Sequence, residues 1–81
     1  MITIYSKEGC QYCAMAKEVM RAKGVSYDEV VIGESSNDDM KREEFMRLFP
    51  MVKSLPYLLQ DGKPIGGYGD LIDHLNKPME N

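Results

Sequence analysis

Two strand–helix units in the first half of the chain narrow most sharply what it can fold into. Ile2-Thr3-Ile4-Tyr5 reads as a short β-strand over 2–5, and residues 6–9 as a loop closing on Gly9. From Cys10 to Lys23 the pattern turns helical, with Met15, Ala16, Val19 and Met20 on one face, Lys17, Glu18 and Arg21 opposite, and Gly24 placed as the C-terminal stop. A second strand is predicted over 26–32. A second helix is predicted over 38–49, with Asp38 and Asp39 at its dipole-positive start, Met40, Phe45, Leu48 and Phe49 on its buried side, and Pro50 beyond its end. Strand, helix and strand in succession require a parallel pair joined by a crossover. Residues 57–60, the Asp61-Gly62 turn and the return strand 63–65 then add an antiparallel hairpin, which Gly66-Gly67 breaks. A last helix is expected over 70–76, leaving 77–81 as a loose tail. The order β-α-β-α-β-β-α is an α/β fold with a four-stranded mixed sheet and three helices. At 81 residues the chain is one domain, 1–81.

Charge and hydropathy exclude several classes of function. The formal charge is −3, whereas a nucleic-acid binder is usually basic. No apolar run approaches the roughly 20 residues of a membrane span. Met1-Ile2-Thr3-Ile4-Tyr5 reads as a strand and not as a charged start followed by a long apolar stretch, so no secretory signal is expected. The expected location is a reducing cytoplasm, where two close cysteines point to redox or metal chemistry.

Cys10 and Cys13 are the two cysteines, in the run Lys7-Glu8-Gly9-Cys10-Gln11-Tyr12-Cys13. A bridge between them closes so small a loop that it constrains little unfolded-chain entropy, so its use lies in forming and breaking. The reactive species is the thiolate. Cys10 is expected at the start of the first helix, where unpaired N–H groups and the dipole stabilise a negative sulfur, with Lys7 adding positive charge. Cys13 falls one turn further in, with less dipole support. Cys10 is therefore the expected nucleophile and Cys13 the resolving thiol. Zinc does not fit, because one Cys-x-x-Cys supplies two of four ligands and His74 is the sole histidine. His74 reads as a surface or helix-capping residue, and the acidic run of Asp38, Asp39, Glu43 and Glu44 as a solvated helix start.

The chain resembles the glutaredoxins along nearly its full length. Four pieces carry the resemblance: Tyr5-Ser6-Lys7 leading into Cys10-Gln11-Tyr12-Cys13, similar to the family's lysine and Cys-Pro-Tyr-Cys; Ser54-Leu55-Pro56, similar to Thr-Val-Pro; Gly66-Gly67; and Gly69-Asp70. The resemblance implies a thioredoxin-like fold and a thiol–disulfide oxidoreductase that uses glutathione as co-substrate, with no tightly bound cofactor and no metal. It makes Pro56 the family's cis-proline, which sets the Leu55 backbone beside Cys10 to pair with glutathione held like an added strand. It places Lys7 and Arg47 at the glycine carboxylate of glutathione, Tyr12 against the ligand, and Gly67, Gly69 and Asp70 around its γ-glutamyl end, where a helix start receives the carboxylate. Read without the resemblance, Asp70 is an N-cap and Gly66-Gly67 a point of close backbone approach. The implied partners are glutathione and protein disulfides such as that of ribonucleotide reductase, with the chain acting as a monomer. Its compactness is similar to bacterial and phage members.

Two departures from the family pattern stand out. Leu55 replaces valine, a minor change for a residue that acts through its backbone. Gln11 replaces proline and restores an N–H near the thiolate. That leaves one alternative to weigh, a module that shares a [2Fe–2S] cluster across a dimer with glutathione; the small glutaredoxin-like redoxins served by thioredoxin reductase, which the chain is also similar to, are a second.

Overall fold

In the computed structural model, which describes residues 1–76, β1 (Ile2–Ser6) leads into α1 (Gln11–Ala22), β2 (Tyr27–Gly33), β3 (Met40–Lys41), α2 (Arg42–Leu48), β4 (Tyr57–Gln60), β5 (Lys63–Gly66) and α3 (Tyr68–Asn76). The sheet has five strands in the order β3-β2-β1-β4-β5, not the four expected. The expected loose tail, 77–81, lies outside the described residues. β1 is central: it pairs parallel with β2 through the α1 crossover and antiparallel with β4. The hairpin closes through Asp61 (φ 52°) and Gly62 (φ 84°), two positive-φ residues that match the twist of the flanking strands.

The extra strand comes from the segment expected to start the second helix. Met40 and Lys41 pair parallel with Ile32 and Gly33, so α2 begins only at Arg42. Asp38 and Asp39 are used upstream of it and not at a helix start. The Asp39 carboxylate accepts from Val31 N–H (2.9 Å) and its own N–H donates to the Val31 carbonyl (2.9 Å), continuing the ladder by side chain. The Asp38 carboxylate accepts from Ser35 N–H at 3.1 Å and fills the space a side chain at Gly33 would need.

Alternation along β1 sends Ile2, Ile4 and Ser6 to one face and Tyr5 to the other. On the first face Ile2, Ile4 and Leu58 meet Ala16 and Met20 of α1 and Leu71 of α3. Met20 is fully buried, and truncating it to Ala costs about 2–5 kcal/mol. On the second face α2 packs through rings: Tyr5 lies 5.3 Å from both Phe45 and Phe49, and Phe49 lies 5.1 Å from Tyr57. Two residues expected inside are outside, Met15 (36% exposed) and Leu48 (53%). The buried stripe of α1 runs Cys13, Ala16, Met20, and successive helical residues turn about 100°, which carries Met15 off it. Leu48 is likewise turned away from the Phe45–Phe49 contact.

α1 ends at Gly24 as expected. Gly24 (φ 69°) donates to the Arg21 carbonyl, and Val25 donates to that of Met20 (2.8 Å), the paired bonds of a left-handed helix stop.

Candidate active site

The redox loop is the continuation of the central strand, so β1 aims residues 7–10 at the end of the sheet. Cys10 (φ −91°, ψ 110°) is the N-cap of α1, and its Sγ accepts the backbone N–H of Cys13 at 3.2 Å. That is the geometry of a Ser or Asp cap with sulfur in the oxygen's place. Cys10 is half-buried, whereas Cys13 is 1% exposed. The two are joined as a disulfide.

The Leu55–Pro56 peptide is cis, and the Leu55 carbonyl oxygen lies 3.6 Å from Cys10 Sγ. A groove of about 410 Å³ runs from this segment between the sheet end and α2. Its cations are Lys7, Arg42 and Lys53, and its apolar wall includes Phe45, Met46 and Val52. Arg47 is exposed on α2 but does not line the groove. Arg42 and Arg47 are five residues apart, about 140° around the helix, so one groove does not take both. Arg42 and Lys53 were not singled out by sequence reasoning. The closeness of Lys53 to Pro56 was the available signal; for Arg42 it was the three-residue spacing from Phe45, which puts the two on one side of the helix.

The other side of the Leu55–Pro56 segment meets the start of α3. A side chain at Gly67 would sit 3.7 Å from the Pro56 carbonyl oxygen, an ordinary contact, so space does not demand glycine there. Gly66 is the constrained member of the pair: its φ is 123°, and a Cβ would collide with the Asp70 carboxylate. The Gly67 carbonyl accepts the first helical bond, from Leu71 N–H at 3.0 Å. The N-cap is therefore Gly67 and not Asp70, which stands in the first turn and turns its Oδ2 back to accept Gly67 N–H (3.1 Å). Nothing lies within 4 Å of a Cβ built at Gly69. Tyr12, 57% exposed, is joined to this region through its ring contact with Tyr68, centroids 5.6 Å apart.

A further polar cluster went unread in the sequence. Ser6, Lys17 and Glu29 meet on the inner face beside Cys13, in a second groove that also opens on Cys10. The Lys17 ammonium first, and then the Ser6 hydroxyl, hold the Glu29 carboxyl below the ordinary carboxylate range, against a smaller opposing effect of burial. His74 stands away from the cysteines, with Nε2 3.4 Å from Gln60 Oε1. Among the described residues no group of three or more His, Cys, Asp or Glu side chains is placed to hold a metal ion, and no helix is long and apolar enough to cross a membrane.

The Glutaredoxin family model matches residues 2–65. Glutaredoxin 3 of Escherichia coli is 37% identical over 70 residues, covering 86% of this chain and 80% of that protein. A hybrid peroxiredoxin of Haemophilus influenzae is 34% identical over 70 residues, 86% of this chain, but the chain spans only 27% of that longer protein. Among solved structures, glutaredoxin 1 from Francisella tularensis, complexed with cacodylate, superposes with a TM-score of 0.78 at 24% identity, covering 94% of this chain and 92% of that one. A buckwheat glutaredoxin–glutathione complex superposes at 0.71 and 22% identity, covering 93% and 68%.

Proposed function

The chain belongs to the glutaredoxin family, a family of thiol–disulfide oxidoreductases, and from that premise we propose that as a single domain it reduces protein disulfides and glutathione mixed disulfides at the expense of glutathione. The observation that carries the reading is the sulfur of Cys10 at the N-cap of α1, 3.6 Å from the carbonyl of Leu55, which lines a groove that presents Lys7, Arg42 and Lys53. A helix start stabilises the thiolate. A backbone beside it pairs with an extended peptide, and cations at the far end suit a carboxylate. The glutathione bound to the buckwheat protein supports that ligand.

Cys10 attacks one sulfur of a disulfide; a bond forms to Cys10, and the other sulfur leaves with the electron pair and takes a proton. For a protein client, Cys13 attacks Cys10 Sγ next, forming the internal disulfide and releasing the client's second thiol. Two glutathiones then reduce Cys10–Cys13 and leave as glutathione disulfide. For a glutathionylated substrate Cys10 alone suffices. Lys7 and Arg42 hold the glycine carboxylate, with Arg47 outside the groove and weaker in effect; Leu55 and Pro56 hold the peptide backbone. Tyr12 covers the ligand, and Gly67, Gly69 and Asp70 at the start of α3 receive the γ-glutamyl end. The protein works as a monomer in a reducing cytoplasm, with no resident cofactor. Ribonucleotide reductase is put forward as a client on family resemblance.

The test is NADPH consumption with glutathione, glutathione reductase and a small glutathione mixed disulfide. Turnover in wild type and Cys13→Ser, with none in Cys10→Ser, is the expected result. Silence there, with activity on a protein disulfide under thioredoxin reductase, overturns the glutathione dependence.

A further inference from the structure

The buried side of Cys13 carries chemistry that the glutathione groove does not use. Parallel pairing sets Glu29 beside Ile4 and Val31 beside Ser6, on the face that α1 covers. The apolar seam beneath α1 therefore turns polar at its cysteine end. Ser6, 1% exposed, donates its hydroxyl to Glu29 Oε2 at 2.6 Å, and Lys17 Nζ donates to the same oxygen at 2.8 Å. The Lys17 and Glu29 side chains are 27% and 30% exposed, so bulk water screens them only in part. Lys17 stands one turn beyond Cys13 on α1, a spacing that puts the two Cβ atoms about 5–6 Å apart. Cys13, Ser6, Lys17 and Glu29 line one groove of about 770 Å³.

An ammonium facing the same groove as a thiol favours its thiolate, and a carboxylate paired with the ammonium offsets that pull. Over about 6 Å, one uncompensated charge changes the thiolate-to-thiol ratio about three- to hundredfold as the effective dielectric falls from water's to about 20. We propose that the Lys17–Glu29 pair, with Ser6 fixing Glu29, sets the ionisation of Cys13 and so the rate at which Cys13 resolves a mixed disulfide held on Cys10. The inference rests on the reading of Cys10 and Cys13 as attacking and resolving thiols. In the step concerned, Cys13 gives its proton to solvent in the groove and its thiolate attacks Cys10 Sγ. The Cys10–Cys13 bond forms, the Cys10–client bond breaks, and the client sulfur leaves with the electron pair and is protonated by water. Lys7, Glu8 and Asp38 also line the groove. Asp38 is engaged by the Ser35 N–H, and Lys7 and Glu8 precede Cys10 on the loop, so all three form a background that the test leaves unchanged.

Two measurements test the pair. In Cys10→Ser, the ultraviolet absorbance of the Cys13 thiolate is titrated alone and with Glu29→Gln, Lys17→Gln or both. Glu29→Gln, which leaves Lys17 uncompensated, lowers the Cys13 pKa; Lys17→Gln raises it; the double change returns it close to the start. In chains with both cysteines, Cys10 is loaded with thionitrobenzoate and the coloured thiol that Cys13 releases is followed at neutral pH. Release is faster in Glu29→Gln and slower in Lys17→Gln, each by about two- to tenfold, because a lower pKa also makes a weaker nucleophile. Shifts of the Cys13 pKa in the same direction, or none, overturn the proposal. Lys17→Gln alone decides the sign if Glu29→Gln does not fold. An opposite-signed pKa split with no release in wild type leaves the pairing standing and overturns Cys13 as the resolving thiol.

Discussion

The starts of α1 and α3 both touch the Leu55–Pro56 segment, and they satisfy the same unpaired backbone donors with opposite chemistry. At α1 the acceptor is the sulfur of Cys10; at α3 it is the carboxylate of Asp70, reaching back to Gly67 N–H. The first is one sulfur of the Cys10–Cys13 disulfide. It accepts most strongly as a thiolate and weakly once bonded to another sulfur, so the state of the helix start follows the state of the reaction. The second is a first-turn carboxylate with no part in the disulfide. The acceptor at α1 doubles as a disulfide sulfur, and the acceptor at α3 does not.

The comparison breaks most visibly at Cys10. Cys10→Ser is expected to bring turnover down to the uncatalysed background, yet serine is a good N-cap. Its melting temperature in the reduced state should therefore lie above that of Cys10→Ala, by about 0.5–2 kcal/mol of stability. Equal melting temperatures for the two would show that a capping side chain at position 10 adds no stability. A smaller effect is expected in the groove between the sheet end and α2. Arg42→Ala should raise the KM for a glutathione mixed disulfide about three- to tenfold, the loss of a charge-assisted contact in a partly wet site, and Arg47→Ala less than about twofold. The reverse ranking would return the carboxylate contact to Arg47. At α3, Asp70→Ala removes a first-turn acceptor and should lower the melting temperature by about 2–8 °C, read by calorimetry on the reduced protein.

The smallest effect is on acid stability. Glu29 is held below its ordinary value of 4.5 in the folded chain, so its contribution is fully present above that value and is lost as pH falls through the lower folded one. Denaturant midpoints measured from pH 6 to pH 2 should fall less steeply in Glu29→Gln than in wild type. Parallel profiles would mean that the Lys17 and Ser6 contacts are not kept in solution.

How much of this was legible depended on range along the chain. The cysteines, Gly24, the hairpin turn and Pro56 are local signals, and the α/β order followed from period and punctuation. Met40–Lys41 was not legible as a strand: two residues show no alternation, and the acids before them imitate a helix start while serving the edge of β2. Arg47, placed by resemblance, stands exposed on α2 outside the groove that Arg42 lines. The Ser6–Lys17–Glu29 cluster joins three elements across separations of 12 and 23 residues, and only the β1–β2 register and the seating of α1 bring them together.

The contact between Cys10 and Leu55 spans 45 residues. Both thiols lie between β1 and the first turn of α1, whereas Leu55 precedes β4, so the two halves of the site sit on separate stretches of chain that the β1–β4 pairing brings together. A change that loosens that pairing therefore parts the thiols from the segment beside them without touching either one.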